Sequence, residues 1–582
     1  MLRILYLLLI FGALLATGCA VSPDTASLPD SASSAPVATK SAAKSTTSTP
    51  DLPEGEFPPQ VLYQLLVAEL AGQRGEMGAA VANYLAAAKE SQDPNIAERA
   101  ARIAAYSQAL REALDASLLW VKLAPENPEA RQMAASLLLA FGRAPEAVVH
   151  FEQFIVLSTD KPNHGFMLIA GQLARDKNAI AALSVMDKLI EKRGDDPHAW
   201  LAYGQLALRQ ARLGVALESA NKALALKKHW ASAVVLRARV LSLQGDKEGA
   251  IAYLEQELDG ELKKNIAVGV SHARLLTETK QLDKAHDEFE RLAEQEPDNA
   301  EVNYAAGVLA LQLKDLDKAE QRLKQVLSLG QRMLEANYYL GRIYEEKEDP
   351  KVALRHYFAV RHGEYYLSAQ SRAASLLADQ GKLDRAREHL HSLRIANQEE
   401  QVRIYLVEGE LLRKAEKFSE AFDFLTEKVE KIPDDTALRY ARALIAEKLD
   451  KLDLAEGDLR AIIEREPSNA QALNALGYTL ADRTDRYSEA LEYIERAMKV
   501  EPGDAAIIDS MGWVHYRMGN HAKAVELLRQ AMELIKDPEI AAHLGEVLWE
   551  MGNKQGALEV WEDSLQQHPE HKILLDVMKR FG

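Results

Sequence analysis

The sequence predicts an all-α protein, a solenoid of about 15 stacked helix pairs that ends in a C-terminal capping helix. Two observations predict this fold. Small residues recur at a mean spacing of about 34 residues between Ala68 and Gly545, and an alanine follows most of them 12 residues later. The composition agrees, because aromatic residues make up only 6% of the chain, while Ala, Leu and Glu are abundant.

Composition and net charge argue against two classes of protein. Of the 582 residues, 47% are hydrophobic and 27% are charged, so the chain has enough apolar surface for a packed core and is not disordered as a whole. Lys and Arg total 70 against 87 Asp and Glu, which gives a net charge of −17. Nucleic-acid-binding proteins follow phosphates with a basic surface, so we expect no nucleic-acid partner.

Residues 1–18 are predicted to be a signal peptide. Arg3 supplies a positive charge, and the apolar run of residues 4–16 is shorter than the roughly 20 residues that span a bilayer. The run leads into Leu15-Ala16-Thr17-Gly18-Cys19, which resembles the lipobox of bacterial lipoproteins. The resemblance implies cleavage before Cys19 and acylation of this residue. The alternative is that Cys19 is a buried cysteine that acts as a small apolar side chain.

Cys19 is the only cysteine of the chain, so an acylated protein would have neither a free thiol nor a disulfide. In the lipoprotein family an Asp after the cysteine favours the inner membrane. Ala20 therefore implies the periplasmic side of the outer membrane. Residues 19–59 comprise the lipidated cysteine and a segment rich in Ser, Thr, Ala and Pro, which predicts a disordered tether. Such a tether would span roughly 35 Å as a coil and about 130 Å when extended.

Fifteen small residues mark the predicted first helices of the repeats. They are Ala68, Ala101, Ala135, Gly171, Gly204, Ala238, Ala273, Gly307, Gly341, Ala374, Gly409, Ala443, Gly477, Gly512 and Gly545. An alanine follows 13 of them after 12 residues, at Ala80, Ala113, Ala147, Ala216, Ala250, Ala285, Ala319, Ala353, Ala386, Ala421, Ala455, Ala524 and Ala557. After the other two, alanine is displaced by one residue, at Ala182 and Ala490. Two antiparallel helices approach closely only where side chains are small, so each pair predicts a helix crossing.

Glycines and prolines mark the ends of the predicted helices. Gly552 stands where the first helix of the last repeat must turn, and a left-handed C-cap favours glycine. The equivalent glycines are Gly75, Gly142, Gly245, Gly381 and Gly519. Pro569 is predicted to end the second helix of the same repeat, as Pro125, Pro297, Pro433 and Pro467 end theirs.

The 34-residue period, the pair of small residues and the closing proline resemble tetratricopeptide repeats over residues 60–571. The resemblance implies a right-handed superhelix whose first helices line a concave face that holds segments of partner proteins. We expect irregular geometry in the fourth repeat around residues 161–165, and near residues 484–487, where one residue is inserted. Residues 572–582 are predicted to form the capping helix over the last repeat.

A stripe of aromatic and polar residues on the last three repeats is the predicted partner-binding site. It comprises Asn474, Tyr478, Asp509, Trp513, Tyr516, Arg517, Glu546 and Trp549. Its central four residues are spaced i, i+4, i+7 and i+8, so they share one face of a helix. Aromatic anchors ringed by polar groups are typical of interface hot spots. The alternative is that Trp513 and Trp549 only pack between adjacent helices.

Four stretches carry a narrower resemblance. They are residues 65–74 (LLVAELAGQR), 113–120 (ALDASLLW), 474–478 (NALGY) and 509–513 (DSMGW). With the lipobox and the overall length, they resemble outer-membrane lipoprotein adaptors that partner a periplasmic carboxyl-terminal processing protease in gram-negative bacteria. The resemblance implies an adaptor that recruits and activates the protease. It would present substrates such as peptidoglycan endopeptidases and so restrain cell-wall cleavage.

The sequence leaves other functions open. A docking lipoprotein of a pilus, secretion or polysaccharide-export complex would share the tether and the solenoid. An enzyme is the third hypothesis, but we expect no enzymatic activity, cofactor or metal. The chain contains no phosphate-binding loop, H-E-x-x-H, G-x-S-x-G, C-x-x-C or EF-hand motif. The nearest approach to a metal site is a group of histidines that we interpret as exposed residues of second helices: His356, His362, His389 and His391.

Overall fold

The computed structural model describes residues 58–158, 162–174 and 179–581. Within these ranges the chain forms 31 α-helices and no β-strand, arranged as 15 antiparallel helix pairs and one final helix. The predicted all-α solenoid of about 15 helix pairs is confirmed. The predicted signal peptide, Cys19 and nearly all of the predicted tether lie outside the described residues. No described helix has both the length and the apolar character needed to cross a membrane.

Each repeat consists of an odd-numbered first helix and an even-numbered second helix. The first helices are α1 (Pro59–Gln73), α3 (Pro94–Tyr106), α5 (Pro128–Ala140), α7 (Pro162–Leu173), α9 (Pro197–Arg209), α11 (Ala231–Leu243), α13 (Ile266–Glu278), α15 (Ala300–Gln312), α17 (Met333–Glu346), α19 (Tyr366–Asp379), α21 (Gln398–Lys414), α23 (Thr436–Lys448), α25 (Ala470–Arg483), α27 (Ala505–Arg517) and α29 (Pro538–Glu550). The second helices are α2 (Met77–Ser91), α4 (Leu110–Leu123), α6 (Ala144–Leu157), α8 (Ala179–Arg193), α10 (Leu213–Leu226), α12 (Lys247–Asp259), α14 (Leu282–Gln295), α16 (Leu316–Ser328), α18 (Pro350–Ala359), α20 (Leu383–His391), α22 (Phe418–Lys431), α24 (Leu452–Arg465), α26 (Tyr487–Val500), α28 (His521–Leu534) and α30 (Lys554–Gln567). The final helix is α31 (Lys572–Phe581).

Aspartate and asparagine side chains begin most of the first helices. At the start of α27, the Asp504 carboxylate accepts hydrogen bonds from the backbone N–H groups of Ala506 at 2.9 Å and Ile507 at 3.0 Å. At the start of α25, the Asn469 side chain accepts one from the Ala472 N–H at 2.9 Å. A cap of this kind stabilises a helix by about 1 kcal/mol. The caps therefore fix the residue at which most first helices begin.

The second residue after most first helices adopts the left-handed backbone conformation. The six predicted glycines do so, with φ between 73° and 95°, from Gly142 to Gly245. In the last repeat, the Asn553 N–H donates to the Leu548 carbonyl at 2.9 Å, which closes the turn. Seven further repeats place a residue other than glycine at this position, namely Gln108, Ala211, Lys280, Lys314, Glu348, Glu416 and Asp450.

The small residues lie at the crossings of the helix pairs, as predicted. The 15 alanines that follow the small residues of the first helices, including the displaced Ala182 and Ala490, are all 0% exposed. In α25, a Cβ atom on Gly477 would lie 2.5 Å from Ile494 Cγ1 and 2.9 Å from the Ala490 carbonyl oxygen. Real side chains do not approach so closely, so glycine permits the two helices of this repeat to meet.

Two repeats depart from the regular pattern where irregularity was expected. In the fourth, a Cβ atom on Gly171 would meet nothing within 4 Å, and α7 packs more extensively on α9 than on its own partner α8. Residues 159–161 and 175–178, on either side of α7, lie outside the described residues. In the thirteenth repeat, Thr484 follows α25 in an extended conformation, with φ −142° and ψ 175°. This different helix end accommodates the inserted residue.

First helices of successive repeats pack on one another at several joints from the fourth repeat onward. They do so at α7–α9, α9–α11 and α11–α13, and again at α25–α27 and α27–α29. Second helices of successive repeats make comparable contacts only at α2–α4 and α6–α8, within the described residues. Neighbouring repeats come closest on the inner side of a curved solenoid. From the fifth repeat onward, the first helices therefore line the inner face.

The final helix covers the apolar end of the last repeat. Leu574 and Val577 are buried in one cluster with Trp561, and the Phe581 ring stacks on Trp561 with ring centroids 6.2 Å apart. The N-terminal end of α31 also approaches an earlier part of the array, because Lys572 pairs with Glu416 in the turn after α21. The chain therefore curves back toward itself over its last five repeats.

Candidate protein-binding site

The predicted stripe lies on three successive first helices, α25, α27 and α29. Four of its members are largely buried: Asn474, Asp509, Trp513 and Glu546 are 6–8% exposed. The other four, Tyr478, Tyr516, Arg517 and Trp549, are half-buried. The stripe is therefore a set of half-exposed side chains above a buried layer of polar and aromatic groups. Its role in binding a partner stays a prediction.

A buried histidine that was not part of the predicted stripe holds its three helices together. His543 of α29 places Nδ1 3.0 Å from both carboxylate oxygens of Asp509 in α27. Its Nε2 lies 3.3 Å from the Tyr478 hydroxyl oxygen in α25, and its ring stacks on Trp513 with centroids 4.2 Å apart. One side chain thus contacts residues of three repeats. The sequence signal for this contact is the spacing between Asp509 and His543, which is 34 residues or one repeat.

The environment of His543 favours the charged imidazolium. Burial lowers its pKa, but the charge and hydrogen bond of Asp509 outweigh burial and, with Glu539 and Glu546, raise the pKa to about 9. The imidazolium then donates from Nδ1 to Asp509 and from Nε2 to the Tyr478 hydroxyl. Burial, followed by nearby carboxylates, raises the pKa of Tyr478 well above its ordinary value, so this tyrosine stays neutral. A buried pair of opposite charges therefore underlies the stripe.

Trp513 and Arg517 connect α27 to the preceding repeat. The Trp513 Nε1–H donates to Asp482 Oδ1 at 3.1 Å, and Arg517 Nη1 donates to the backbone carbonyl of Asp482 at 2.7 Å. Arg517 Nη2 also donates to the Tyr487 hydroxyl at 3.2 Å. Both side chains are thus held by hydrogen bonds across the joint between two repeats.

Glu546 and Trp549 connect α29 to the final helix. Glu546 accepts hydrogen bonds from the Tyr516 hydroxyl at 3.5 Å and from Arg580 Nη2 at 3.0 Å. The Trp549 ring packs against both Trp561 and Phe581, with ring centroids 5.8 and 6.0 Å away. Both predicted tryptophans therefore pack against neighbouring helices, and Trp549 keeps part of its ring accessible.

The interpretation of the histidines as exposed residues of second helices is correct only for His391: His356 and His389 are half-buried, and His362 lies between α18 and α19. The His356 ring stacks on Tyr344, and His389 meets the edge of Phe358. His391 Nε2 lies 2.7 Å from the buried carboxylate of Glu408. Within the described ranges, no group of three or more His, Cys, Asp or Glu side chains could hold a metal ion.

Comparisons with known proteins identify the repeat. Family models described as tetratricopeptide repeat match residues 171–229, 276–339, 371–436, 440–505 and 505–537. The TPR repeat-containing protein PA4667 of Pseudomonas aeruginosa is 36% identical over 493 residues, which cover 84% of this chain and 83% of that protein. The protein CTR9 homolog of Arabidopsis thaliana is 22% identical over 401 residues, covering 67% of this chain and 34% of that protein.

Among solved structures, yeast Tom70 aligns with 89% of this chain and 94% of its own, at 13% identity and a TM-score of 0.33.

Proposed function

This chain belongs to the tetratricopeptide-repeat family, and from that premise we propose that it is a lipid-anchored adaptor whose inner face binds other proteins. Tetratricopeptide arrays are scaffolds for protein interaction, and the described residues consist of such an array and its final helix. The observation that carries the proposal is the stripe on α25, α27 and α29. Its half-buried side chains stand on a hydrogen-bonded layer that fixes them before any partner arrives.

Pre-ordered aromatic and arginine side chains favour tight binding. Tyr516, Arg517 and Trp549 lose little conformational entropy on binding, because neighbouring helices already hold them. Asn474 supplies an unused acceptor: its amide oxygen is buried without a hydrogen-bond partner among the described residues. Buried polar atoms rarely lack a partner.

We place the protein on the periplasmic side of the outer membrane, attached through acylated Cys19. The support is the short apolar run of residues 4–16, which ends in a lipobox-like stretch whose cysteine is the only one in the chain. The following tether, which would extend to about 130 Å at most, gives the array a wide reach from the membrane. Such an anchor suits a scaffold that must meet partners near the cell wall.

The proposed partners are a periplasmic carboxyl-terminal processing protease and its substrates, the peptidoglycan endopeptidases. The support is the resemblance of residues 65–74, 113–120, 474–478 and 509–513 to adaptors of such proteases. An adaptor must hold enzyme and substrate together. The first helices of eleven repeats, from α9 to α29, offer room for two proteins.

Crosslinking in cells tests the proposal. The full-length chain is crosslinked with formaldehyde, purified from membranes and analysed by mass spectrometry. We expect an identified processing protease together with cell-wall hydrolases. Recovery of pilus, secretion or polysaccharide-export subunits instead would replace the adaptor with a docking lipoprotein. A Cys19→Ser variant should leave the membrane fraction while keeping its affinity for the purified partner.

Matched variants test the stripe itself. Tyr516→Ala combined with Trp549→Ala should weaken binding of the identified partner about tenfold or more, because aromatic hot spots each contribute over about 1 kcal/mol. Phe358→Ala, on the second helix α18 and 41% exposed, is the control and should bind normally. Equal affinities in a binding assay on the folded proteins would remove the stripe from the interface.

A further inference from the structure

Three arginines on the inner face of the fifth to seventh repeats have no partner. Arg209 lies in α9, Arg239 in α11 and Arg274 in α13, and all three are exposed. None of them has an ion pair, a hydrogen bond or a ring contact with any residue that the structure describes. We call these three residues the arginine ladder.

Arginines of later first helices behave differently. In α23, Arg442 donates to Asp458 at 2.7 Å, and in α25, Arg483 donates to Asp450 at 2.6 Å. Arg517 of α27 is held by Asp482. The chain has an excess of acidic residues, 87 against 70 basic ones, so free arginines do not result from a shortage of carboxylates. The ladder is therefore a local site of uncompensated positive charge on an acidic protein.

The nearest acidic residue of the same helices is already paired. Glu278, at the C-terminal end of α13, forms a salt bridge with Lys247 at 3.2 Å. Lys247 thus pairs with the carboxylate that would otherwise reduce the positive charge around the ladder. The positive potential of the ladder remains available to an anion from outside the array.

The register of the ladder suits an extended ligand. Arg239 and Arg274 each directly follow the small crossing residue of their repeat, Ala238 and Ala273, so they occupy the same position on successive helices. Arg209 instead follows its crossing residue, Gly204, by five residues, about one turn further along its helix. Packed helices lie about 8–10 Å apart. An extended chain rises about 3.3 Å per residue, so a bound segment would pass from Arg239 to Arg274 in about three residues.

Apolar side chains accompany the arginines on this face. Leu243 of α11 is 56% exposed, and Leu208, Val235 and Val270 are half-buried. A ligand that follows the ladder would therefore contact both charged and apolar groups. Charge complementarity selects an acidic ligand, and the apolar contacts favour a peptide that carries small or aliphatic residues between its carboxylates.

We propose that the inner face of the fifth to seventh repeats binds an extended acidic segment of a partner protein, whose carboxylates pair with Arg209, Arg239 and Arg274. This inference rests on the proposed function and names the chemistry of one partner. The ladder lies six repeats or more before the stripe on α25, α27 and α29, so the two surfaces can be occupied by different proteins.

Fluorescence anisotropy with the full chain tests the proposal. The probe is a labelled peptide, acetyl-(Glu-Leu-Ser)4-amide, and its controls are the peptides with Gln or Lys in place of Glu and a 12-nucleotide oligo-dT. We expect binding of the Glu peptide that weakens as salt is raised, and at least tenfold weaker binding of the controls. Oligo-dT that binds as tightly as the Glu peptide would overturn the choice of a peptide.

Variants of equal net charge locate the site. The triple variant Arg209→Gln, Arg239→Gln and Arg274→Gln should lose at least tenfold in affinity for the Glu peptide. The control is Arg111→Gln, Arg385→Gln and Arg529→Gln, which removes three exposed arginines of second helices that have no partner among the described residues. This control should bind like the wild type. Equal binding by both triple variants would show that the ladder is not the site.

The outcomes separate this inference from the adaptor proposal. If the ladder variant still captures the identified protease and hydrolases from membranes, and the Glu peptide does not bind, the inference fails while the adaptor stands. If the peptide binds through the ladder but the crosslinked chain recovers neither protease nor hydrolases, the surface stands and the adaptor role fails.

Discussion

The pair of His543 and Asp509 joins two first helices whose crossing residues are Gly545 and Gly512. Sequence reasoning assigned Asp509 to a partner-binding surface, whereas in the fold it accepts hydrogen bonds from a buried imidazolium at 3.0 Å. Breaking such a pair leaves an uncompensated buried charge, which costs several kcal/mol. At the scale of single residues, stability and binding are therefore coupled at this site.

The stability of the last repeats should fall as the pH rises from about 7 to 10. The folded-state pKa of His543, about 9, lies above its ordinary value of 6.5. Its stabilising contribution is therefore complete below about pH 6.5 and is lost as the pH rises through 9, by up to about 3 kcal/mol. The other titratable groups facing His543 are Asp509, Glu539, Glu546 and Tyr478.

Urea unfolding at a series of pH values measures this dependence. A His543→Gln variant should be less stable at pH 7 and should lose most of the decline between pH 7 and 10. The His521→Gln variant, on the next second helix and away from Asp509, should keep the wild-type dependence. An unchanged decline in His543→Gln would assign it to other groups.

Glycine at the crossing of α25 and α26 should not tolerate a side chain without a loss of stability. Gly477→Ala would place a methyl group 2.5 Å from Ile494 Cγ1 and 2.9 Å from a backbone oxygen, so we expect a loss of about 1–3 kcal/mol. Gly457→Ala, in the exposed interior of α24 with nothing within 4 Å of the added Cβ, should instead gain about 0.5–1 kcal/mol. Thermal unfolding followed by circular dichroism should show shifts of opposite sign.

At the scale of elements, the turn between the two helices of a repeat is defined by its backbone conformation and does not require one particular residue. Gly519 and Gly552 adopt it with φ of 82° and 84°, and Lys280 and Glu348 adopt it with φ of 62° and 57°. The hydrogen bonds are the same in both cases, since the Gln281 N–H donates to the Leu276 carbonyl at 2.9 Å. The glycine pattern predicted the turns that glycine forms and missed the others.

Because φ is positive at these turns, replacing glycine should destabilise the protein and introducing glycine should stabilise it. Gly519→Ala meets nothing within 4 Å, so its expected cost of about 1 kcal/mol comes only from the left-handed backbone. Lys280→Gly should stabilise by roughly 0.5–1 kcal/mol, because it relieves the same strain. Denaturant midpoints measure both effects. Destabilisation by Lys280→Gly would contradict the account of strain.

At the scale of the whole molecule, each repeat depends on its neighbours. Stability in a solenoid is a sum over repeats and the interfaces between them. The last repeat has a neighbour on one side only, and α31 covers the other side through Leu574, which is 0% exposed. The pairing of Lys572 with Glu416 adds an exposed contact and little stability.

Loss of the packing of α31 should loosen the C-terminal repeats alone. Leu574→Ala should cost about 2–5 kcal/mol in the local stability of α29 and α30, because it leaves a cavity beside Trp561. Ile573→Ala, at a residue that is 40% exposed, is the matched control. Hydrogen exchange should rise in α29 and α30 of Leu574→Ala and stay unchanged before α21. Uniform loss of protection would indicate a single cooperative unit.

The sequence by itself determined the number of repeats, their register and the crossing residues. A crossing requires small side chains at a fixed spacing, so Gly512 and Ala524 reveal their contact without any coordinates. The two irregular repeats were visible for the same reason, as changes in that spacing.

Only the tertiary structure decided which polar residues meet. The burial of Asp509 and Trp513, the place of His543 between three repeats and the lack of partners for Arg239 depend on how successive first helices pack. The physical reason is the distance along the chain over which each kind of contact forms. Periodicity records contacts within one repeat, where spacing along the chain fixes distance, whereas contacts between repeats depend on the twist of the superhelix, which no single segment encodes.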